Sequence, residues 1–279
     1  MYELNLGIRA HDMNENEFEK VLQNMNKFGL KHTQLAPFKQ FSNEIKSINQ
    51  LSPGFANKIR HQLEDAKIDI GVLGCYINMV HLEDEIRNEE LKKFFGCLRL
   101  ARNFGATLVG TETGSVGNGY TIENYTESSF ERMIESILIM IKEAEKWGVT
   151  IGIEPGINHP LHTIEKTETL LERVTSNNLQ LILDPVNLLH ADNYQSQVYV
   201  TEQAIEKLGD RVAVFHLKDY VMENGKVKFV PLGQGIMDIK PILKYAKYER
   251  PNIQISLEET KEVHLEESLK YIFNEYEKV

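Results

Sequence analysis

The chain has 279 residues, a mass of 32.1 kDa, 42% hydrophobic and 26% charged residues and a formal net charge of −10. That composition is typical of a globular protein able to build a core without disulfide staples, and its acidity argues against nucleic-acid binding, which relies on dense lysine and arginine. Cys75 and Cys97 lack metal-ligand spacing and read as reduced; with no leader-like start and no run near about 18 apolar residues, the expectation is a cytoplasmic protein without a membrane partner.

The first apolar run, Leu4 to Ile8, reads as a strand. It leads through Arg9 and His11 to Asn14, which can cap a helix over Glu15 to Phe28 that Gly29 closes. A second strand, Thr33 to Pro37, and a polar loop precede a helix over Pro53 to Ala66 capped by Ser52. Strand three, Asp69 to Tyr76, is followed by a helix over Asn88 to Phe104 whose Leu91, Phe94, Phe95, Leu98 and Ala101 share one face. Strand four, Thr107 to Gly110, runs into Glu112 and a helix over Tyr125 to Trp147.

Four more strands follow, and each ends on a metal-binding type of side chain: Ile151 to Glu154, Leu181 to Asp184, Val214 to His216 and Ile255 to Glu258. Their helices are Ile164 to Val174, Val198 to Leu208, Ile239 to Tyr248 and His264 to Tyr276. The four endings are 30, 32 and 42 residues apart, and each gap fits one loop, one helix and the next parallel strand. Eight such units predict an α/β fold: one (β/α)8 TIM barrel over residues 1–279, close to the roughly 250 residues usual for that architecture.

In such a barrel the chemistry sits at the carboxyl ends of the strands. A single acid there more ordinarily caps a helix or pairs with a neighbour. Four from consecutive strands are different, because three carboxylates and an imidazole gathered on one arc would repel and desolvate one another unless a cation neutralised them. Glu154, Asp184, His216 and Glu258 are therefore the expected ligands of one divalent ion. Mostly oxygen ligands favour Mn²⁺ or Mg²⁺, with Co²⁺ or Zn²⁺ as alternatives.

Around them, Glu112, Asn187, His11 and His159 are candidate substrate contacts. So is Lys218, which strand alternation returns to the face of His216 and which alternatively forms an ion pair with nearby carboxylates. His162 precedes the probable-cap position Thr163 and reads as surface loop, and His32, His61, His81 and His264 read as surface or helix residues. Cys75 and Tyr76 read as pocket wall. The turn Val230 to Asp238, with Gly233 and Gly235, offers backbone amides that can approach a phosphate or cap a helix.

Ile153-Glu154-Pro155, Leu183-Asp184-Pro185-Val186-Asn187, His216-Leu217-Lys218-Asp219, Pro231 to Asp238 and Ser256-Leu257-Glu258 together resemble the xylose isomerase-like TIM-barrel superfamily of sugar isomerases, epimerases, dehydratases and endonuclease IV. The motifs look most like its pentulose 5-phosphate 3-epimerases. The resemblance implies that Glu154, Asp184, His216 and Glu258 bind one divalent metal and that Glu154 and Glu258 exchange substrate protons. Free-ketose epimerases of the family carry a histidine where Asn187 stands and an arginine where Met222 stands, which argues for a phosphorylated ketose. Endonuclease IV needs further histidines where this chain has Asn187, Glu112 and Cys75.

The resulting expectation is a metal-dependent sugar or sugar-phosphate isomerase or epimerase working through an enediolate. A dehydratase of the same superfamily is the alternative, since the same enediolate can expel a β-hydroxyl. An abasic-site endonuclease and a non-catalytic sugar-binding barrel rank below both. The expected partner is a small-molecule sugar, and a homo-oligomer is left open.

Overall fold

The computed structural model describes residues 4–15 and 17–279. Eight parallel strands close into a barrel: β1 (Asn5–Arg9), β2 (His32–Leu35), β3 (Asp69–Gly74), β4 (Leu108–Glu112), β5 (Thr150–Glu154), β6 (Leu179–Leu183), β7 (Val212–Leu217) and, after an intervening hairpin, β10 (Gln254–Leu257). β1 closes the ring by pairing with both β2 and β10. The long covering helices are α1 (Phe18–Lys27), α3 (Pro53–Ala66), α4 (Asp84–Phe104), α5 (Glu127–Trp147), α6 (Ile164–Arg173), α7 (Gln197–Leu208) and α9 (Leu265–Lys278), with short α2 (Pro37–Gln40) and α8 (Lys240–Lys244) between them. The expected (β/α)8 architecture is thus present.

Alternation along each strand sorts the apolar residues into two layers. One face packs under the helices in the main core. The other fills the barrel, where Val72, Leu108, Ile182 and Val214 form a separate buried plug. Gly110 and Gly152 make room for it, because an added Cβ would come within 2.6 Å of Ile182 at the first and 3.0 Å at the second. This fixes the inward register: residue 152 faces in, so 154 does too, and likewise 182 with 184 and 214 with 216.

Several local expectations need correction. Asn14 does not cap the first helix, which begins at Phe18 behind Glu17; its backbone N–H donates instead to Glu262 Oε2 at 2.9 Å. Strand two starts at His32 and ends at Leu35, since Pro37 opens α2 at the start of the segment read as a polar loop. α4 begins four residues earlier than expected, with Asp84 and Glu85 favourable in its first turn. The helix expected over Ile239 to Tyr248 is α8 followed by a π-helical turn at Tyr245–Glu249. His32 is a barrel residue, 1% exposed, lying against Gly7, where any Cβ would fall 2.3 Å from its Nδ1. Burial pushes that imidazole down to about 4, so it is neutral.

The largest unanticipated element is an antiparallel hairpin, β8 (Asp219–Glu223) and β9 (Lys226–Val230), inserted after β7. Asn224 and Gly225 form its turn with φ of 52° and 75°, as a two-residue turn of this hand requires. Ser52 and Thr163 cap α3 and α6 as expected, accepting from Phe55 N and Lys166 N.

Candidate active site

The inward register delivers one side chain from each strand to the carboxyl rim. In order around the ring these are Arg9, Gln34, Tyr76, Glu112, Glu154, Asp184, His216 and Glu258. The last four gather tightly: each offers one donor atom, and these atoms all lie within 4.8 Å of one another among buried residues. His216 Nδ1 is 3.1 Å from Glu154 Oε1 and 3.2 Å from Glu258 Oε1. Lys218 Nζ lies 2.8 Å from Asp184 Oδ2 and 2.9 Å from Glu258 Oε2. Of the two readings of Lys218, substrate contact or ion pair, the structure shows the ion pair, on the inward face that strand alternation predicts.

The donor set fits a divalent cation. Opposite ligands of an ion with bonds of about 2.1 Å stand about 4.2 Å apart, so the cluster closes around one with a few tenths of an ångström of movement. Nδ1 of His216 faces the carboxylates and is the nitrogen placed to ligate an ion; Nε2 is buried without a partner. Three oxygen donors and one nitrogen, all nearly free of solvent, could hold such an ion.

Electrostatics point the same way. Burial pushes the His216 imidazole down, but Glu258 and Glu154 outweigh it and raise it to about 9. Burial likewise works against the Lys218 ammonium, yet Asp184 and Glu258 keep it charged. The two glutamates diverge. Burial raises Glu154 above the usual carboxylate range; at Glu258 the nearby His216, Lys218 and Arg9 overcome burial and hold it well below.

The other candidates surround this cluster. Asn187 Nδ2 donates to Glu154 Oε1 at 2.8 Å, and Lys218 donates to Asn187 Oδ1 at 3.2 Å. His159 donates through Nδ1 to Gly114 O at 2.9 Å, leaving Nε2 3.7 Å from Glu112 Oε2. Burial opposes both charges, but each raises or lowers the other toward an ion pair. His11 accepts from Lys39 Nζ at 3.2 Å; burial, Arg9 and Lys39 take its imidazole down to about 4. All of these line one cavity of about 1090 Å³ together with Glu154 and Glu258, while Asp184 and His216 are fully buried beside them.

A family model described as xylose isomerase-like TIM barrel matches residues 22–274. The chain belongs to the xylose isomerase-like TIM-barrel family. No curated protein matched the chain. Among solved structures, the probable 3-DHS dehydratase AsbF of Bacillus anthracis superposes with a TM-score of 0.76 at 15% identity, covering 98% of this chain and 99% of that one. The IOLI protein with a bound zinc atom gives 0.76 at 17%, covering 99% of both. An L-ribulose 3-epimerase gives 0.77 at 14%, covering 99% and 95%. At these identities the likeness establishes the shared fold.

Within this xylose isomerase-like barrel the glycine turn is not a phosphate cradle. Asp219 Oδ2 accepts from Gly233 N and Gly235 N at 2.9 and 2.8 Å, and Oδ1 from Tyr220 N and Met237 N at 2.8 and 3.0 Å. The anion these amides bind is the protein's own. A Cβ at Gly235 would sit 2.2 Å from Asp219 Oδ1, so glycine serves the close approach.

Three rim residues escaped the sequence reading as site groups: Arg9, Gln34 and, beyond its place in the wall, Tyr76. Arg9 Nη1 lies 3.5 Å from Glu258 Oε2, and Gln34 Nε2 donates to Tyr76 OH and approaches Glu258 Oε1 at 3.4 Å. Strand alternation, applied to the first three strands as it was to the last four, locates all three. Among the described residues no helix is long and apolar enough to cross a membrane.

Proposed function

We propose that this chain is a divalent-metal-dependent sugar or sugar-phosphate isomerase or epimerase, with Glu154, Asp184, His216 and Glu258 as metal ligands and Glu154 and Glu258 as the proton-transfer pair. The observation that carries this reading is the pair itself: two carboxyl groups on one buried cluster, open to one cavity, with proton affinities driven apart. Such divergence is how one site supplies an acid and a base together.

A divalent ion in the cluster supplies Lewis-acid polarisation of a ketose carbonyl. The remaining work belongs to the side chains. Glu258, held as carboxylate beside Arg9, Gln34 and Lys218, takes the proton from the carbon next to the carbonyl. Glu154, whose proton affinity burial raises, gives one back. Delivery to the opposite face of the same carbon inverts that centre; delivery to the neighbouring carbon interconverts aldose and ketose. Asn187 orients Glu154 through its 2.8 Å hydrogen bond, and Lys218, Glu112, His11 and His159 are placed to meet substrate hydroxyls.

The dehydratase among the similar folds supports a second outcome for the same enediolate, loss of water. One experiment separates them. Metal-loaded protein incubated in heavy water with a panel of ketoses and ketose phosphates should place deuterium in the substrate without changing its formula, as followed by NMR. A product lighter by water assigns a lyase, and absence of both exchange and elimination across the panel refutes the reading.

A further inference from the structure

The cavity above the cluster is larger than one ketose needs. At about 1090 Å³ it matches the upper end of pockets for drug-sized ligands, roughly 1,000 Å³. Away from the acids its wall changes character. The Tyr125 ring lies 4.2 Å from the His162 imidazole at an interplanar angle of 33°, and Tyr120 meets Tyr125 edge-on at 6.2 Å. All three face the cavity, as does Phe229 on the hairpin.

These rings are exposed but held. Tyr120 is 63% and Phe229 44% exposed, an arrangement that burial alone would not favour for large aromatic residues. Tyr125 OH donates to Ile157 O, and His162 Nδ1 donates to Pro160 O at 3.0 Å. Phe229 links the two ends of the cavity, because the Lys218 ammonium that touches the acid cluster also lies 5.2 Å from its ring centroid. Burial lowers the proton affinity of the His162 imidazole beside the two tyrosines. Asp219 already fills the one glycine turn suited to phosphate. Flat neutral aromatic faces, beside polar groups such as Asn158, suit the C–H face of a neutral sugar ring better than an anion.

We propose that this wall is a second sugar subsite and that the substrate is a ketose carrying a second sugar: the ketose, whose open-chain carbonyl activates the neighbouring C–H, reacts between Glu154 and Glu258 while the ring joined to it lies on Tyr120, Tyr125 and His162. This rests on the sugar-acting reading above. Magnesium-loaded protein titrated with the monosaccharide D-fructose and with the keto-disaccharides lactulose, maltulose and isomaltulose provides the test, by calorimetry and saturation-transfer NMR. At least one disaccharide should bind about tenfold tighter than the monosaccharide, with saturation reaching both rings. Tyr120→Ala and Tyr125→Leu should each remove most of that gain; Tyr120 is exposed enough that its replacement stays readable if the second variant fails to fold. Disaccharides that all bind within about twofold of the monosaccharide, or a gain that survives both replacements, would overturn the subsite. Deuterium exchange on single ketoses is scored separately, so a barrel that exchanges protons without this gain refutes the subsite alone. One that shows the gain without exchange or elimination refutes the enzymatic reading alone.

Discussion

The two halves of the barrel rim obey one register and carry opposite chemistry. From β5 through β7 to β10 the inward residues are Glu154, Asp184, His216 and Glu258; from β1 to β4 they are Arg9, Gln34, Tyr76 and Glu112. The first arc concentrates three carboxylates that could hold a cation, and the second supplies a guanidinium, hydrogen-bond donors and a single acid, Glu112. Where they meet at β10 and β1, Glu258 lies against Arg9 and Gln34. At the other seam Glu154 is in register with a second acid, Glu112, and receives no arginine. Both arcs therefore contribute to the asymmetry between the two glutamates: His216 and Lys218 act on Glu258 from its own arc, and Arg9 adds to them from the other.

Removing one of the pair puts the comparison under the greatest strain. Glu258→Gln keeps size and shape but cannot take a proton, and under metal saturation it should lower deuterium exchange about a thousandfold. Exchange within about tenfold of wild type would take Glu258 out of the base role and with it the proposed division of labour.

Loading the acid arc with its ion should be the next largest effect. At a hundredfold excess over Kd, a ligand that binds only the folded state adds about 2.7 kcal/mol, worth roughly 5–10 °C in Tm for a chain of this size. Chelation should reverse the shift. In the metal-free protein the His216 imidazole is protonated below about 9, and it must lose that proton to ligate. Binding near neutral pH should therefore release about one proton, and affinity should climb with pH until about 9 and then level off. Calorimetry in buffers of different ionisation heat measures the release; no proton release would mean that His216 is not a ligand.

The contrast between the arcs also explains what the sequence disclosed. The acid arc was legible because its residues are of ligand type and close apolar runs at regular intervals. Arg9, Gln34 and Tyr76 follow the same alternation but belong to no metal-binding class, so a search for ligands passed over them. His32 was misplaced for a different reason: its burial depends on Gly7 and Gly71 in neighbouring strands, a relation set by barrel closure. The hairpin had a local signal in Asn224-Gly225 between alternating residues. The glycine turn had none, because the partner of its amides, Asp219, lies 14 and 16 residues away. Spacing revealed the buried acid and histidine cluster, and only tertiary pairing revealed what the turn holds.

The turn supplies a prediction that lies outside both arcs. Asp219 accepts four backbone N–H groups while almost wholly buried. Asp219→Asn turns one oxygen into a donor facing donors and should cost about 2 kcal/mol of unfolding free energy, read from urea denaturation. Metal affinity should be much less affected, since Asp219 is not one of the clustered donors. A stability unchanged by the replacement would show that the turn is held by other contacts.

The mildest intervention tests the seam directly. Arg9 is one of three cations, with His216 and Lys218, that overcome burial and keep Glu258 ionised, and the other two contact the metal cluster itself. Arg9→Gln leaves that cluster whole and removes only the contribution from the opposite arc. The Glu258 carboxyl then moves up toward its ordinary range, and because the base must be deprotonated, the acid limb of kcat/KM moves to higher pH. The loss of activity should be roughly threefold greater at about pH 5 than at about pH 8. Arg9 also pairs with Asp12 at 2.6 Å and Glu259 at 2.8 Å, so the variant should lose some stability as well. A structural role alone would lower activity evenly across pH. A displaced acid limb is therefore the signature that Arg9, from the β1–β4 arc, helps His216 and Lys218 lower the proton affinity of the base on the other.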